Sequence, residues 1–376
     1  MKVLLVGNYE FDGSTSMHIW ARALHHELLQ RGIDARLVSP RPVFGRIKPS
    51  AHGLGKWLGY IDRFVLFPGQ LRAEAAEVDV VHICDHGSAM FSSRVYGKPV
   101  VVTCHDMLAV RGALGEIPEM RPSFAGRLLQ RWIRQGIACS SQVACVSEFT
   151  RADARRILGS DHNLCKILNG LNYPFHPLDA GEIVRRLARF PELERPFILH
   201  VGSNHARKNR RAVLRIFALA ARRVEPGLKL GLVFAGEPLD GELESLAQEL
   251  GVRDRVIQVI GPSVEVIEAL YSRALALLFP SLYEGFGWPP IEAQATGCPV
   301  VASNIPPLAE ILGDSAAIFP VEDEAGMAES IINLAGQPEL REGMRLRGVE
   351  NVRSRFQTAR MMDDYIALYR RVADLN

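Results

Sequence analysis

An apolar run from Ala274 to Phe279 stops at Pro280 and gives way to the loop SLYEGFGW; two prolines then open a short segment that ends at Gly297. Pro299 leads into a second apolar run, Val300 to Ala302. Short, uninterrupted apolar runs read as parallel strands buried on both faces, because neighbouring parallel strands need a crossover and the crossover helices cover the sheet. Proline at the start of the intervening segment and glycine at its end match the asymmetry of helix termini. The stretch predicts strand, loop, helix, strand, and constrains the surrounding chain to an α/β fold.

The same rhythm recurs on both sides. Strands are expected at Met1–Val6, Ala35–Val38, Val78–Ile83, Val100–Cys104, Gln142–Val146 and Lys166–Leu168. A second series is expected at Phe197–Gly202, Leu230–Gly236, Val256–Gly261, Ala274–Phe279, Val300–Ala302 and Ala316–Phe319. Alternation with helical stretches means two doubly wound, Rossmann-like α/β domains. A length of 376 residues with 48% hydrophobic content supplies two cores. The domains are placed at residues 1–175 and 196–355, joined by a Pro- and Arg-rich linker. Residues 356–376 form a terminal helix with Met361, Tyr365, Leu368 and Tyr369 at helical spacing.

The loop and helix of the opening stretch carry the chemistry. Glu284 falls in the loop and Glu292 is placed in the first helical turn, both at the carboxyl edge of a parallel sheet, where such sheets bind ligands. A carboxylate there accepts hydroxyl hydrogen bonds of the kind a ribose or hexose offers. Amides around Gly285, Phe286 and Gly287, with those of the helix start, make a phosphate cradle. Taken singly, each glutamate also fits a solvated loop position or a complement to the helix dipole.

The whole word, EGFG followed by PPIEAQATGCPVV with seven residues between the glutamates, resembles the signature of retaining glycosyltransferase family 4. The resemblance covers nearly the whole chain and implies the GT-B fold: two Rossmann-like domains facing each other across a cleft, with a C-terminal helix crossing back to the first. It implies donor binding in the second domain and acceptor binding in the first. Glu284, with Gly285, Phe286 and Gly287, would contact the donor sugar, and Glu292 the nucleotide ribose.

Further residues follow from the same resemblance. After the strand ending in Gly202 and Ser203 comes the loop SNHARKN, where Lys208 matches the family's lysine and Arg207 supplies a second charge against the diphosphate. His105, at the end of a strand reading TCHD, stands where the family places a histidine beside the sugar; a lone histidine is otherwise a structural residue, and His86 in CDHGS is a weaker counterpart. Gly13 and Ser14 take the place of paired glycines near the donor phosphates, a departure from the pattern. Ser147 and Glu148, in a VS-x-x-T segment, fall on the acceptor side, with Ser147 also a helix cap. Gly236 and Gly261 close successive strands and either line the base pocket or make ordinary turns.

Other features bound the function. Gly7 and Gly13 do not form a dinucleotide fingerprint, so no nicotinamide cofactor is expected. There is no Asp-x-Asp word; no metal is expected, and Arg207, Lys208 and helix-start amides would offset the diphosphate. The six cysteines are scattered without a CxxC pair and read as small buried hydrophobes. No run of about 18 apolar residues occurs, and a cytoplasmic protein is expected.

Up to Leu178 there are 21 Lys and Arg against 15 Asp and Glu, and beyond it 23 against 27, so the first half is mildly basic. Arg127, Arg131 and Arg134 lie on one face of a helix, either solvated or set against anionic lipid at the inner face of a membrane. Pro40 to Gly55 reads as a long loop rather than packed structure, an acceptor lid or a variable surface segment.

The RKN loop, the CHD strand end and the LGYIDRFVLFP segment resemble those of bacterial cell-surface mannosyltransferases, and that resemblance implies transfer of a hexose to a glycan or lipid-linked acceptor in cell-surface polysaccharide synthesis, with GDP-mannose as the expected donor. The alternatives are a UDP-hexose donor, a GT-B sugar-nucleotide epimerase, and a non-catalytic scaffold. No nucleic-acid partner is expected.

Overall fold

The computed structural model describes residues 1–50 and 53–374. Ala51 and His52, inside the Pro40–Gly55 segment, and Leu375 and Asn376, at the end of the terminal helix, lie outside the described residues. All twelve anticipated strands form: β1 Lys2–Val6, β2 Asp34–Val38, β3 Val80–Ile83, β4 Val100–Cys104, β5 Gln142–Cys145, β6 Leu164–Lys166, β7 Phe197–Gly202, β8 Gly231–Gly236, β9 Val256–Ile260, β10 Ala276–Phe279, β11 Val300–Ser303 and β12 Ala317–Phe319. The sixth sits two residues earlier than its expected place at Lys166–Leu168.

The strands sort into two parallel six-stranded sheets. The first has the order β2-β1-β3-β4-β5-β6 and the second β12-β11-β10-β7-β8-β9. Each order reverses once, between β1 and β3 in the first sheet and between β7 and β10 in the second. At such a switch point successive crossovers leave in opposite directions and open a crevice above the strand ends. Strand side chains are buried on both faces, Leu4, Val81, Val102 and Val143 in one core and Ile198, Leu232, Phe234 and Leu278 in the other. Each such side chain contributes roughly 1.5–3 kcal/mol by leaving water.

The chain divides into two units, residues 1–172 with 358–376, and residues 173–357. The first unit therefore includes the terminal helix Thr358–Asp374. Its Met361, Tyr365, Leu368 and Tyr369 are buried, and its tyrosines enter a polar network under the sheet. Tyr369 is hydrogen bonded to His82 Nδ1 at 2.6 Å, His82 Nε2 to Thr103 Oγ1 at 2.8 Å, and Thr103 to the Tyr365 hydroxyl at 2.8 Å. Burial pushes the His82 imidazole down to about 3, so it is neutral.

Three expectations are corrected. The segment expected as a linker up to Pro196 contains a helix, Ala180–Leu187, whose Arg186 reaches the fully buried Glu268 at 2.6 Å. That ion pair ties it into the second unit, so the unit begins at Tyr173. The Pro40–Gly55 segment is packed in part: the Asp62 carboxylate accepts the backbone N–H groups of Val43, Phe44 and Gly45 at 2.9–3.1 Å and the Tyr9 hydroxyl at 2.9 Å. A buried carboxylate needs such donors, and here they fold the loop onto it. Of the cysteines, Cys139 is exposed rather than buried.

Candidate active site

In the second unit the loops after β7 and β10 flank the switch point and are laced together. The Leu282 N–H donates to the Arg207 carbonyl at 2.8 Å, and the Asn209 side chain to the Pro280 carbonyl at 3.1 Å. Asn209 holds a left-handed conformation (φ 52°) that ends the turn Ala206–Lys208 and starts the helix Arg210–Ala221. Asparagine tolerates that region better than most residues.

This lacing brings three charges together. Lys208 Nζ donates to Glu284 Oε1 at 2.6 Å, and Arg207 Nη1 to Glu284 Oε2 at 2.8 Å. Glu284 and Lys208 are both buried, and the ammonium also lies 4.7 Å from the centre of the Phe279 ring. Burial alone would raise the Glu284 carboxyl, but the charges of Lys208 and Arg207 overcome it and hold the group below the usual carboxylate range. Burial draws the Lys208 ammonium below its ordinary value, with Glu284 opposing. The trio carries one net positive charge, a setting into which an anion brings favourable energy.

Two residues that were not expected in this site shape it. His200 on β7 is fully buried, bonds the Leu278 carbonyl through Nδ1 at 3.0 Å, and stacks with Phe279. Burial pushes its imidazole down to about 3, leaving it a neutral support beneath the cations. Arg210, buried over the Phe234 ring, donates to the Glu237 carbonyl at 3.0 Å and to the Asn204 side chain, joining the loops after β7 and β8. Its place within the run RKNRR was visible, but only the fold shows which cation turns inward.

Glu292 sits in the buried helix Trp288–Ala295. The helix begins at Trp288, so Glu292 is its fifth residue, one place past the first turn in which it was expected. Burial pushes its carboxyl up to about 7, while the Tyr271 hydroxyl, donating at 3.0 Å, and the Lys208 charge pull the other way. The expected cradle is also thinner than an ordinary helix start: Pro289 and Pro290 have no N–H, so two of the first donors are absent. Gly285 and Gly287 are buried, and the Phe286 ring packs edge-on against Trp288 and Phe356. The side chain of Phe286 therefore belongs to the core, leaving its backbone to meet a ligand.

Gly202 and Gly236 are adjacent across β7 and β8, and Gly236 holds φ 129°; a Cβ there would come within 2.6 Å of the Gly202 carbonyl oxygen. Glycine is thus required for the two strand ends to approach. Ser203 follows half-buried, and Gly261 lies exposed beyond β9 with its N–H donating to the Gly236 carbonyl at 2.9 Å.

In the first unit, polar groups gather over the β1/β3 switch point. Asn8 donates to Asp85 at 2.6 Å and to Asp12 at 3.2 Å. His86 lies 3.3 Å from Asp85 and 3.9 Å from Asp106, and His105 bonds the Cys84 carbonyl through Nε2 at 3.0 Å while meeting Trp20 edge-on. Burial lowers the His105 imidazole below its usual value, against the attraction of Asp85.

Gly13 is an exposed turn residue, and the Ser14 N–H is held by Asp12 at 2.9 Å. Ser147 is fully buried, its hydroxyl capping the helix Glu148–Leu158 by accepting the Thr150 N–H at 3.0 Å. Glu148 is exposed and paired with Arg151 at 3.0 Å.

Among the described residues, no group of three or more His, Cys, Asp or Glu side chains is placed to hold a metal ion, and no helix is long and apolar enough to cross a membrane.

Two parallel sheets with ligand-ready switch points, one bearing a buried Glu–Lys–Arg trio, define a GT-B glycosyltransferase architecture. The comparisons agree: residues 17–175 match the family model described as Glycosyltransferase Family 4 and residues 186–350 that described as Glycosyl transferases group 1. The chain belongs to this glycosyltransferase family. It is 26% identical over 254 residues to O-antigen chain mannosyltransferase B of Escherichia coli, covering 66% of this chain and 64% of the relative, so the match spans under two thirds of that relative's length. Among solved structures it is similar to sucrose-phosphate synthase from Thermosynechococcus elongatus, with a TM-score of 0.80, 21% identity and full coverage of both chains. It is also similar to Anabaena HepE in complex with UDP and glucose, with a TM-score of 0.75, 16% identity and coverage of 98% and 99%.

Proposed function

We propose that this protein is a retaining, metal-independent hexosyltransferase that takes its sugar from a nucleoside diphosphate sugar bound at the β7/β10 switch point. The observation that carries this reading is the buried contact of Glu284 with Lys208 and Arg207. Cations already oriented by a buried carboxylate can take up the charge that develops on a departing diphosphate without reorganising. In the transfer, the bond between the sugar's anomeric carbon and the phosphate oxygen breaks. An acceptor hydroxyl forms the new bond, and its proton leaves with the diphosphate. Glu284 positions sugar hydroxyls, and Glu292 accepts from the ribose.

GDP-mannose is the donor this reading favours, supported by the similarity to an O-antigen mannosyltransferase, with a glycan or lipid-linked acceptor in cell-surface polysaccharide synthesis. A UDP-hexose is the second reading, favoured by the HepE complex with UDP and glucose. The test is a thermal-shift panel of GDP, UDP, ADP and their hexose conjugates, with and without EDTA. A ligand at one hundred times its Kd stabilises the native state by about 2.7 kcal/mol. A GDP-selective shift unchanged by EDTA supports the mannosyl reading, and a UDP-selective shift replaces it with the second. No shift with any nucleotide overturns the enzyme reading in favour of a scaffold, and a shift that EDTA removes overturns metal independence.

A further inference from the structure

The first part of the helical stretch Gly53–Ala75, up to the π-helical segment Asp62–Leu66, is oriented against the usual pattern, whereas Phe67, Leu71 and Ala75 beyond it are buried in the core. In that first part Gly55 and Gly59 face inward. A Cβ on Gly59 would come within 2.9 Å of the Tyr9 ring, and one on Gly55 within 2.4 Å of the Lys48 carbonyl oxygen. Its large apolar residues face outward: Leu54, Trp57, Ile61 and Val65 recur three or four residues apart, so they share one helix face, and all are exposed, Trp57 by 60% and Val65 by 68%. The loop pinned to this helix by Asp62 adds Val43, Phe44 and Ile47, the last 74% exposed. An apolar surface of this extent on a water-soluble fold marks a contact surface.

Charge identifies the partner. Residues 41–66 carry five basic side chains, Arg41, Arg46, Lys48, Lys56 and Arg63, and one acidic side chain, Asp62, which is buried and spent on the loop amides. Lys56 and Arg63 line a groove of about 270 Å³ with Tyr9, Asp12 and Tyr60, which leads from this helix to the loop after β1. A protein partner would bring its own pattern of charge, whereas exposed Trp, Ile and Val rimmed mainly by cations are complementary to a surface that is apolar within and anionic at its boundary. The neighbouring helix Phe124–Ala138, which meets this one at Phe64 and Trp132, leaves Phe124 and Leu128 exposed beside Arg127 and Arg131.

We propose that the Val43–Val65 face docks the protein onto an anionic lipid bilayer, with Trp57, Ile61 and Val65 entering the headgroup boundary and Arg46, Lys48 and Lys56 pairing with lipid phosphates. This goes beyond the transferase reading and does not depend on it.

The test is sedimentation of the full chain with large vesicles of phosphatidylcholine alone or with about 30% phosphatidylglycerol, the anionic content supplying the surface potential such a patch senses. The protein should pellet with the anionic vesicles and remain in solution with the neutral ones. Replacing Trp57, Ile61 and Val65 together by Ser should cut the bound fraction at least about tenfold. The Arg46→Glu, Lys48→Glu variant, which leaves the apolar stripe intact, should abolish the preference for anionic lipid and serves if the triple variant does not fold. Bromine-labelled lipid should quench the wild-type fluorescence, and Trp57→Phe should remove that quenching. Absence of binding to anionic vesicles, or binding that none of these changes affects, overturns the proposal. So does a wild-type dimer in the ultracentrifuge that the triple variant turns to monomer, which would make the face a contact between two copies of this chain.

Discussion

At the scale of single residues, two carboxylates in one segment are set to opposite ends of their range by what surrounds them. Glu284 is held ionised by Lys208 and Arg207, whereas Glu292, with one neutral donor and a more distant charge, is raised by burial to about 7. Glu284→Gln keeps the shape but loses the charge-assisted hydrogen bonds. Transfer measured as kcat/KM should fall about 10- to 100-fold, corresponding to roughly 1.5–3 kcal/mol; a loss under about threefold would exclude Glu284 as the sugar anchor.

For Glu292 the sign of the pH effect is fixed by its raised value. The unfolded chain ionises near 4.5 and the folded one near 7, so the folded state binds more protons between them and loses stability as pH rises through that window. Glu292→Gln removes this cost. The variant should gain up to about 3 kcal/mol over the parent at pH 8 and little at pH 4.5, read from denaturant midpoints, while its affinity for nucleotide falls.

At the scale of elements, each unit rests on a feature the local pattern does not announce. The helix Thr358–Asp374 closes the first unit through His82, Thr103, Tyr365 and Tyr369, a polar network drawn from both ends of the chain. Its members satisfy one another in a region without water. Tyr369→Phe removes the partner of His82 Nδ1 and should destabilise the first unit by about 1–3 kcal/mol, measurable by calorimetry with the nucleotide-induced shift unchanged. The helix Gly53–Ile61 turns Gly55 and Gly59 inward, and the Tyr9 ring fits against its backbone at Gly59. That leaves its apolar face unused by the core, which is why the face is free to serve as a docking surface.

At the scale of the whole molecule, one topological solution is used twice. Each sheet reverses its strand order once, and each reversal collects polar groups: Asn8, Asp85 and His86 over β1 and β3, and Lys208, Arg207 and Glu284 over β7 and β10. The groups come from loops 76 or 77 residues apart in the chain, yet the crevice fixes their meeting because loops on either side of a switch point have nowhere else to converge. The basic excess of the first half is shared between two stretches, Arg41–Arg63 with five basic residues against one acidic and Arg121–Arg134 with four against none.

The sequence by itself determined the strands, the class of fold and the identity of the principal charged residues. Buried parallel strands must be apolar along their whole length, and Pro280, Gly297 and Pro299 punctuate them without help from distant contacts. Only the tertiary structure decided which charges meet and in what environment. That Glu284 is paired with two cations, that Glu292 is buried beside Tyr271, that His82 and His200 are neutral supports, and that Ser147 is a buried cap all depend on segments brought together across the chain. The same holds for the helix Ala180–Leu187, whose Arg186 finds its partner 82 residues away. Local pattern encodes which residues must leave water; burial and neighbouring charge, which set protonation and reactivity, exist only once the chain has folded.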